Sequence, residues 1–244
     1  MRINILTIFP EMFSGFVSLG IVGRAVTKGL LEINLINIRD FATDRYGSVD
    51  DYPYGGGSGM VMRVDVVQKA LSSIAEPGYR ILTSPKGEVF NQEMANEFGR
   101  KGVLTFICGR YKGIDARIEA FVDRVVSMGD FILSGGEVAA MGMVDAIVRL
   151  LPGVVGKEDS VKTDSFASGL LEPPLFTRPR EFHGMKVPEI LLSGDHESIK
   201  RWRMKEALRF TMDRRPDLLD RIEINEVVMR MLTQLKKEKE NEGD

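Results

Sequence analysis

A single cysteine, Cys108, leaves no internal disulfide possible and suits a reducing compartment, so a cytoplasmic location is expected. Histidines are nearly as scarce. His183 and His196 stand thirteen residues apart without cysteine companions, which argues against a histidine-based zinc site, and no metal ligands are assigned. No apolar run approaches the roughly 18 residues that cross a membrane, so no membrane partner is expected. The opening MRINILTIFPEMF carries one positive charge and breaks at Pro10, as a first strand does and a signal peptide does not. Positive charge is not in excess either. The net charge is −2, so nucleic-acid binding would have to rely on a local patch.

What is present is the balance of a globular protein: 244 residues, 43% hydrophobic and 28% charged, enough for a sizeable core. Residues 3–9 form an apolar strand, and LEINLINI (31–38) alternates like a second. A long loop rich in glycine, aspartate and tyrosine follows, through residue 60, and loops of that length usually serve function. Helices near 64–75, after Asn91, near 114–121 and from Glu137 to about Leu150 then alternate with the strands YRILTS, VLTFICG and DRVVSM. That rhythm predicts a mostly parallel α/β sheet with helices on both faces.

Composition changes at 151–169, which is polar and contains glycine and serine. The expected layout is an α/β domain over 1–155, a linker over 156–167 and a small all-helical domain over 168–244. In the last part, ESIKRWRMKEALRFTMDRRPDLL reads as a helix ended by Pro216, residues 222–235 as another, and KKEKENEGD as a frayed tail.

Three consecutive strands end in glycine-bearing segments: TSPKGE (83–88), CGRYKGID (108–115) and SMGDFILSGGE (127–137). Ligands of parallel sheets lie beyond the carboxyl ends of the strands, so these segments predict one composite pocket. Familiar phosphate and nucleophile signatures do not fit. No GxxxxGK[ST] exists, Met60 spoils GGGSGM as a dinucleotide fingerprint, and neither Ser58 nor Ser134 has GxSxG surroundings.

Between residues 200 and 215 stand Lys200, Arg201, Arg203, Lys205, Arg209, Arg214 and Arg215 against two acids, with Trp202 among them and Arg178 and Arg180 nearby in TRPR. A solvated helix face explains such a run, and so does contact with a nucleic-acid backbone. Arg149, at the end of an apolar helix, reads locally as compensation of the helix dipole, and Asp164 in TDSF as a helix N-cap.

Taken in order, IFPEMF (8–13), RDF (39–41), DYPYGGGSGM (51–60), CGRY-GID (108–115), GD-L-GGE (129–137), DA-R-PGV (145–154), DSFA-GLL (164–171), TRP (177–179) and P-L-SG-H--I--WR (188–203) resemble the bacterial tRNA (guanine-37-N1)-methyltransferases of the SPOUT class. The resemblance implies a deep trefoil knot in the sheet domain. It implies S-adenosyl-L-methionine held by Leu82, Thr83 and Pro85, by Gly109, Tyr111 and Gly113, and by Ser127, Met128, Gly129, Asp130, Phe131, Ile132, Leu133, Gly135 and Gly136. It further implies a homodimer with active sites at the subunit interface, a tRNA carrying guanine at position 37 gripped through Arg178, Lys200, Arg201, Arg203, Arg209, Arg214 and Arg215, and a divalent cation such as Mg2+. Asp164 matches the family's general base and Arg149 its catalytic arginine. Lys112 stands where many relatives carry an acid, and Ser168 and EPPLF also depart from the common pattern. Two alternatives accompany this expectation: a SPOUT-class methyltransferase with another RNA target, and a non-catalytic RNA-binding protein.

Overall fold

The computed structural model describes residues 1–156, 164–222 and 225–242. The chain divides into two compact units, residues 1–158 and 159–244. Most of the expected linker, 157–163, lies outside the described residues.

Five parallel strands build the first unit: β1 (Arg2–Thr7), β2 (Glu32–Asn37), β5 (Tyr79–Val89), β6 (Val103–Cys108) and β7 (Arg124–Ser127), in the order β2-β1-β6-β5-β7. Both faces of the sheet are buried, as parallel sheets require. Ile3 and Ile5 of β1, with Leu104, Phe106 and Cys108 of β6, point to one face. There they pack with α2 (Gly20–Thr27), α4 (Gln92–Gly99) and α5 (Gly136–Val148) through Val22, Phe98, Met143, Val144 and Ile147. Leu6 and Ile107 point to the other face, against Val66, Val67, Ala70 and Leu71 of α3 (Val64–Ser72). A short helix, α1 (Ser14–Ser18), precedes α2. Asn91 opens α4 by accepting the Met94 N–H at 2.9 Å, the N-cap geometry its sequence suggested.

Three elements differ from expectation. TSPKGE is not a loop beyond a strand but an irregularity within one: the register of β5 against β7 shifts between Thr83 and Glu88, and pairing then resumes at Glu88 and Val89. The expected helix at 114–121 is a 3-10 turn over Ala116–Phe121. Inside the long loop, two-residue strands β3 (Asp50–Asp51) and β4 (Val61–Met62) pair antiparallel.

In the second unit, α6 (His196–Arg214) is capped by Asp195, whose carboxylate accepts from the N–H groups of Glu197 and Ser198. Pro216 follows it and starts a 3-10 turn through Arg221. The unit is not all-helical as expected. Strands β8 (Glu181–Phe182) and β9 (Met185–Lys186) form a hairpin whose turn residues His183 and Gly184 have φ of 50° and 79°. Of the expected frayed tail, residues 236–242 are instead helix and 243–244 lie outside the described residues: α7 runs from Glu226 to Glu242. Cross-helix ion pairs hold it, with Glu238 taking Lys205 at 2.7 Å and Arg209 at 3.1 Å, and Lys239 reaching Asp213 at 2.8 Å. Between the helices lies a small core of Leu170, Ala207, Leu208, Leu232 and Leu235.

Candidate active site

At the carboxyl ends of β5, β6 and β7 the three glycine-bearing segments enclose one cavity of about 690 Å³. Of the residues assigned to the cofactor, Leu82, Thr83, Pro85, Gly109, Tyr111, Gly113, Ser127, Met128, Phe131, Ile132, Leu133, Gly135 and Gly136 line it; Gly129 and Asp130 do not. Gly129 lies behind the wall: its N–H donates to the Ser127 hydroxyl at 3.1 Å, and its carbonyl accepts from the Phe131 N–H at 2.9 Å. These bonds curl the chain so that Phe131 returns to the cavity. Asp130 is exposed at the outer edge of the same turn.

Gly135 and Gly136 answer a steric demand. The Gly136 N–H donates to the Gly109 carbonyl at 2.8 Å, drawing the start of α5 against the loop after β6. A Cβ on Gly136 would collide with Thr83 Oγ1, and one on Gly135 with Arg110 Nε. Glycine is therefore needed at both positions by close approach of the chain. The loop after β6 is itself stapled to the glycine-rich loop. Lys112 N–H donates to the Met60 carbonyl at 3.0 Å, and Met62 N–H to the Gly113 carbonyl at 2.9 Å. Tyr111, at the apex, has φ of 60°, a left-handed conformation unusual for a tyrosine and characteristic of functional loops.

The strongest interaction in the site involves residues that the sequence did not single out. Glu137, in the first turn of α5, is fully buried. Its Oε2 accepts from Arg110 Nε at 2.8 Å and its Oε1 from the Thr7 hydroxyl at 2.8 Å. The Arg110 guanidinium also lies 4.7 Å from the centre of the Phe9 ring. One buried carboxylate thus ties the end of β1 and the loop after β6 to the helix that follows the third glycine segment. Glu137 also raises the thiol pKa of Cys108, after the larger effect of that thiol's own burial. Nearby, Asp115 accepts from the backbone and side chain of Arg117, which holds its carboxyl down to about 2 and caps the 3-10 turn. Gly59, Met60 and Glu119 also line the cavity. For the first two the sequence signal is the glycine-rich loop 51–60, which fails as a dinucleotide fingerprint and belongs to the family resemblance.

The walls suit S-adenosyl-L-methionine. They offer apolar surface for a flat heterocycle and loop segments for its polar edges. Among the described residues, no three or more His, Cys, Asp or Glu gather where a metal ion could sit. Arg149 does not line the cavity. It ends α5, and thirteen residues at about 1.5 Å each put it about 20 Å from Gly136. Asp164 belongs to the second unit, where its carbonyl accepts from the Ala167 N–H at 3.1 Å; no helix opens there, so the N-cap reading does not hold.

The basic residues of the second unit fall into two groups. Arg209 is half-buried and engaged by Glu238 and Glu206, and Arg215 pairs with Asp217 at 2.7 Å. Lys200, Arg201 and Arg203 are exposed on α6, as is Arg214, whose guanidinium packs 4.8 Å from the Phe210 ring. Arg178 lines a second cavity with Arg203.

Comparison with known proteins agrees over nearly the whole chain. The family model described as tRNA (Guanine-1)-methyltransferase TrmD matches residues 1–221. A protein of Dictyoglomus turgidum named tRNA (guanine-N(1)-)-methyltransferase is 52% identical, with 98% of each chain covered. Proteins of the same name from Moorella thermoacetica and Lactiplantibacillus plantarum are 50% and 49% identical, covering 96% and 97% of this chain and 96% and 98% of their own. A cavity between glycine-bearing segments at the ends of three parallel strands, in a chain matched across both units, leads to one assignment: the chain belongs to the tRNA (guanine-1)-methyltransferase family.

Proposed function

We propose that this chain transfers a methyl group from S-adenosyl-L-methionine to N1 of guanine 37 in tRNA. The observation that carries the reading is the cavity formed by the three glycine segments, in a chain whose similarity to the named methyltransferases extends over both units. S-adenosyl-L-methionine supplies an electrophilic methyl on a sulfonium. What the protein must add is alignment and proton transfer. Guanine N1 carries a proton and is a poor nucleophile until a base takes it, which is the role of Asp164. Negative charge then develops toward guanine O6, and Arg149 is the cation that stabilises it. Glu119, the one carboxylate among the lining residues, supplies charge for the cofactor's ammonium, a task that Lys112 cannot perform.

A homodimer with shared active sites follows from the same reading. Arg149 ends α5, ten residues or about 15 Å beyond Ala139, the last α5 residue on the cavity wall, and on this reading it meets the methyl at a second copy's cavity. Leu19, Ile132, Phe131 and Val138 are exposed apolar side chains, from 49% to 83% accessible, and a two-fold interface would cover them. The deep knot and the role of the second unit in gripping tRNA belong to the same proposal, with Lys200, Arg201, Arg203 and Arg214 as its exposed cations.

Labelled S-adenosyl-L-methionine offered with tRNA transcripts carrying or lacking guanine 37 tests the reading. Label is expected only in transcripts with guanine 37. Equal labelling of both overturns the position, and RNA binding without labelling overturns the enzyme.

A further inference from the structure

The second unit contains a cavity of its own, about 360 Å³, that the methyl-transfer reading leaves unused. Its lining comes from the segments 174–180 and 187–192 and from the start of α6. Phe176 and Trp202 form the aromatic part, with ring centroids 6.4 Å apart and planes at 53°. Leu175, Leu191, Leu192 and Ile199 supply aliphatic surface, of which Leu175 and Leu192 are exposed. Such a surface is costly to leave in water unless something docks there.

Charge narrows the occupant. Arg178, Arg180 and Arg203 stand around the opening. Arg180 is committed to Glu189, both of whose carboxylate oxygens lie 2.9 Å from one of its guanidinium nitrogens. Arg178 and Arg203 are exposed, and Lys200 and Arg201 continue the positive surface along α6. An apolar partner would not call for cations at the rim, and an acidic peptide would not call for an aromatic floor. A flat, uncharged ring on an anionic backbone satisfies both.

We propose that this cavity seats one unstacked nucleobase of the RNA substrate, stacked on Trp202 or Phe176, while Arg178 and Arg203 take the flanking phosphates. The proposal rests on the reading of the chain as a tRNA-modifying enzyme and assigns a second base-binding site, separate from the one that holds the target guanine. The two rings are tilted toward each other, so the base lies against one face and is not sandwiched. Stacking accepts any base, since every base has a π-face, so the site anchors the RNA without reading its sequence.

Trp202 is the only tryptophan in the chain, so its emission reports on this cavity directly. In the full chain loaded with S-adenosyl-L-methionine, a tRNA transcript is expected to change Trp202 emission saturably and shield it from acrylamide. The Trp202→Leu variant is expected to bind that transcript about 5- to 100-fold more weakly, the range set by loss of one base stack. Its affinity for S-adenosyl-L-methionine and its far-ultraviolet helix signal are expected to be unchanged, which shows that the first unit and the helices of the second have both folded. Arg203→Ala, an exposed change, should weaken RNA binding and reduce its salt dependence. Unaltered emission and acrylamide access with tRNA bound, or unaltered tRNA affinity in Trp202→Leu, overturns the site even if methyl transfer proceeds. Emission changes and weakened binding in a chain that methylates no tRNA would instead overturn the enzymatic reading and leave the base site standing.

Discussion

The cavity after β5, β6 and β7 and the cavity beside α6 are built in different ways. The first is shaped by three glycine-bearing segments, pressed together at Gly135 and Gly136 and tied by the buried Arg110–Glu137 pair. The second is bounded by side chains, with Trp202, Phe176, leucines and arginines projecting from a hairpin-bearing segment and a helix. Where segments meet at glycine, the shape changes only if the fold changes. A side-chain wall can be re-cut one residue at a time. Pro174, Leu175 and Phe176 of EPPLF fall in the second wall, where substitution leaves the backbone free to stay as it is.

The largest effect should come from Asp164, which the second unit contributes. Asp164→Ala should retain cofactor affinity, measured by calorimetry, yet slow methyl transfer by about 10²- to 10⁴-fold in single-turnover assays. Loss of cofactor binding in this variant would break the separation between the units. Next, Arg110→Ala leaves the buried Glu137 carboxylate without its cation, and chemical denaturation should show a loss of about 3–5 kcal/mol. Cofactor affinity should fall with it, since two walls lose their tie. Gly136→Ala forces a methyl into Thr83 Oγ1 and should lose about 1–3 kcal/mol, with weakened cofactor binding and unchanged RNA binding.

The smallest effect concerns pH. The carboxyl of Asp115 is held at about 2, below its ordinary value near 3.8, chiefly by hydrogen bonds from Arg117. A depressed carboxyl stabilises the fold above its unfolded pKa, and that contribution disappears as the pH falls from about 4 to about 2. Because Arg117 is exposed and Asp115 partly so, the difference in melting temperature between the wild-type chain and Asp115→Asn should be small and shrink with salt. A difference that persists below about pH 2 would show that the cap acts by something other than charge.

Much of the first unit was legible because its strands are continuous apolar runs and its helices carry their own signals, such as Asn91 at an N-cap. The composite pocket was legible from three glycine-bearing segments, two that follow β6 and β7 and one that lies within β5. What stayed hidden depends on distant partners. Nothing local to Glu137 marks it as buried, because Thr7 and Arg110 lie 130 and 27 residues away. The β8–β9 hairpin escaped notice because two-residue exposed strands show no alternation, and its turn uses His183 and Gly184 where Asn-Gly would have announced it. The end of the last helix, from 236 on, reads as a frayed tail because its highly charged sequence finds its partners only across α6.

The Thr7–Glu137–Arg110 knot of hydrogen bonds also sets a schedule for synthesis. The cofactor cavity needs the end of the first strand, the loop after the fourth strand of the sheet in chain order and a helix that begins past residue 135. A growing chain therefore has no binding-competent cavity until more than half its length has left the ribosome, and early fragments gain nothing from the cofactor's presence. Once the cavity closes, the cofactor favours the completed sheet over every earlier intermediate.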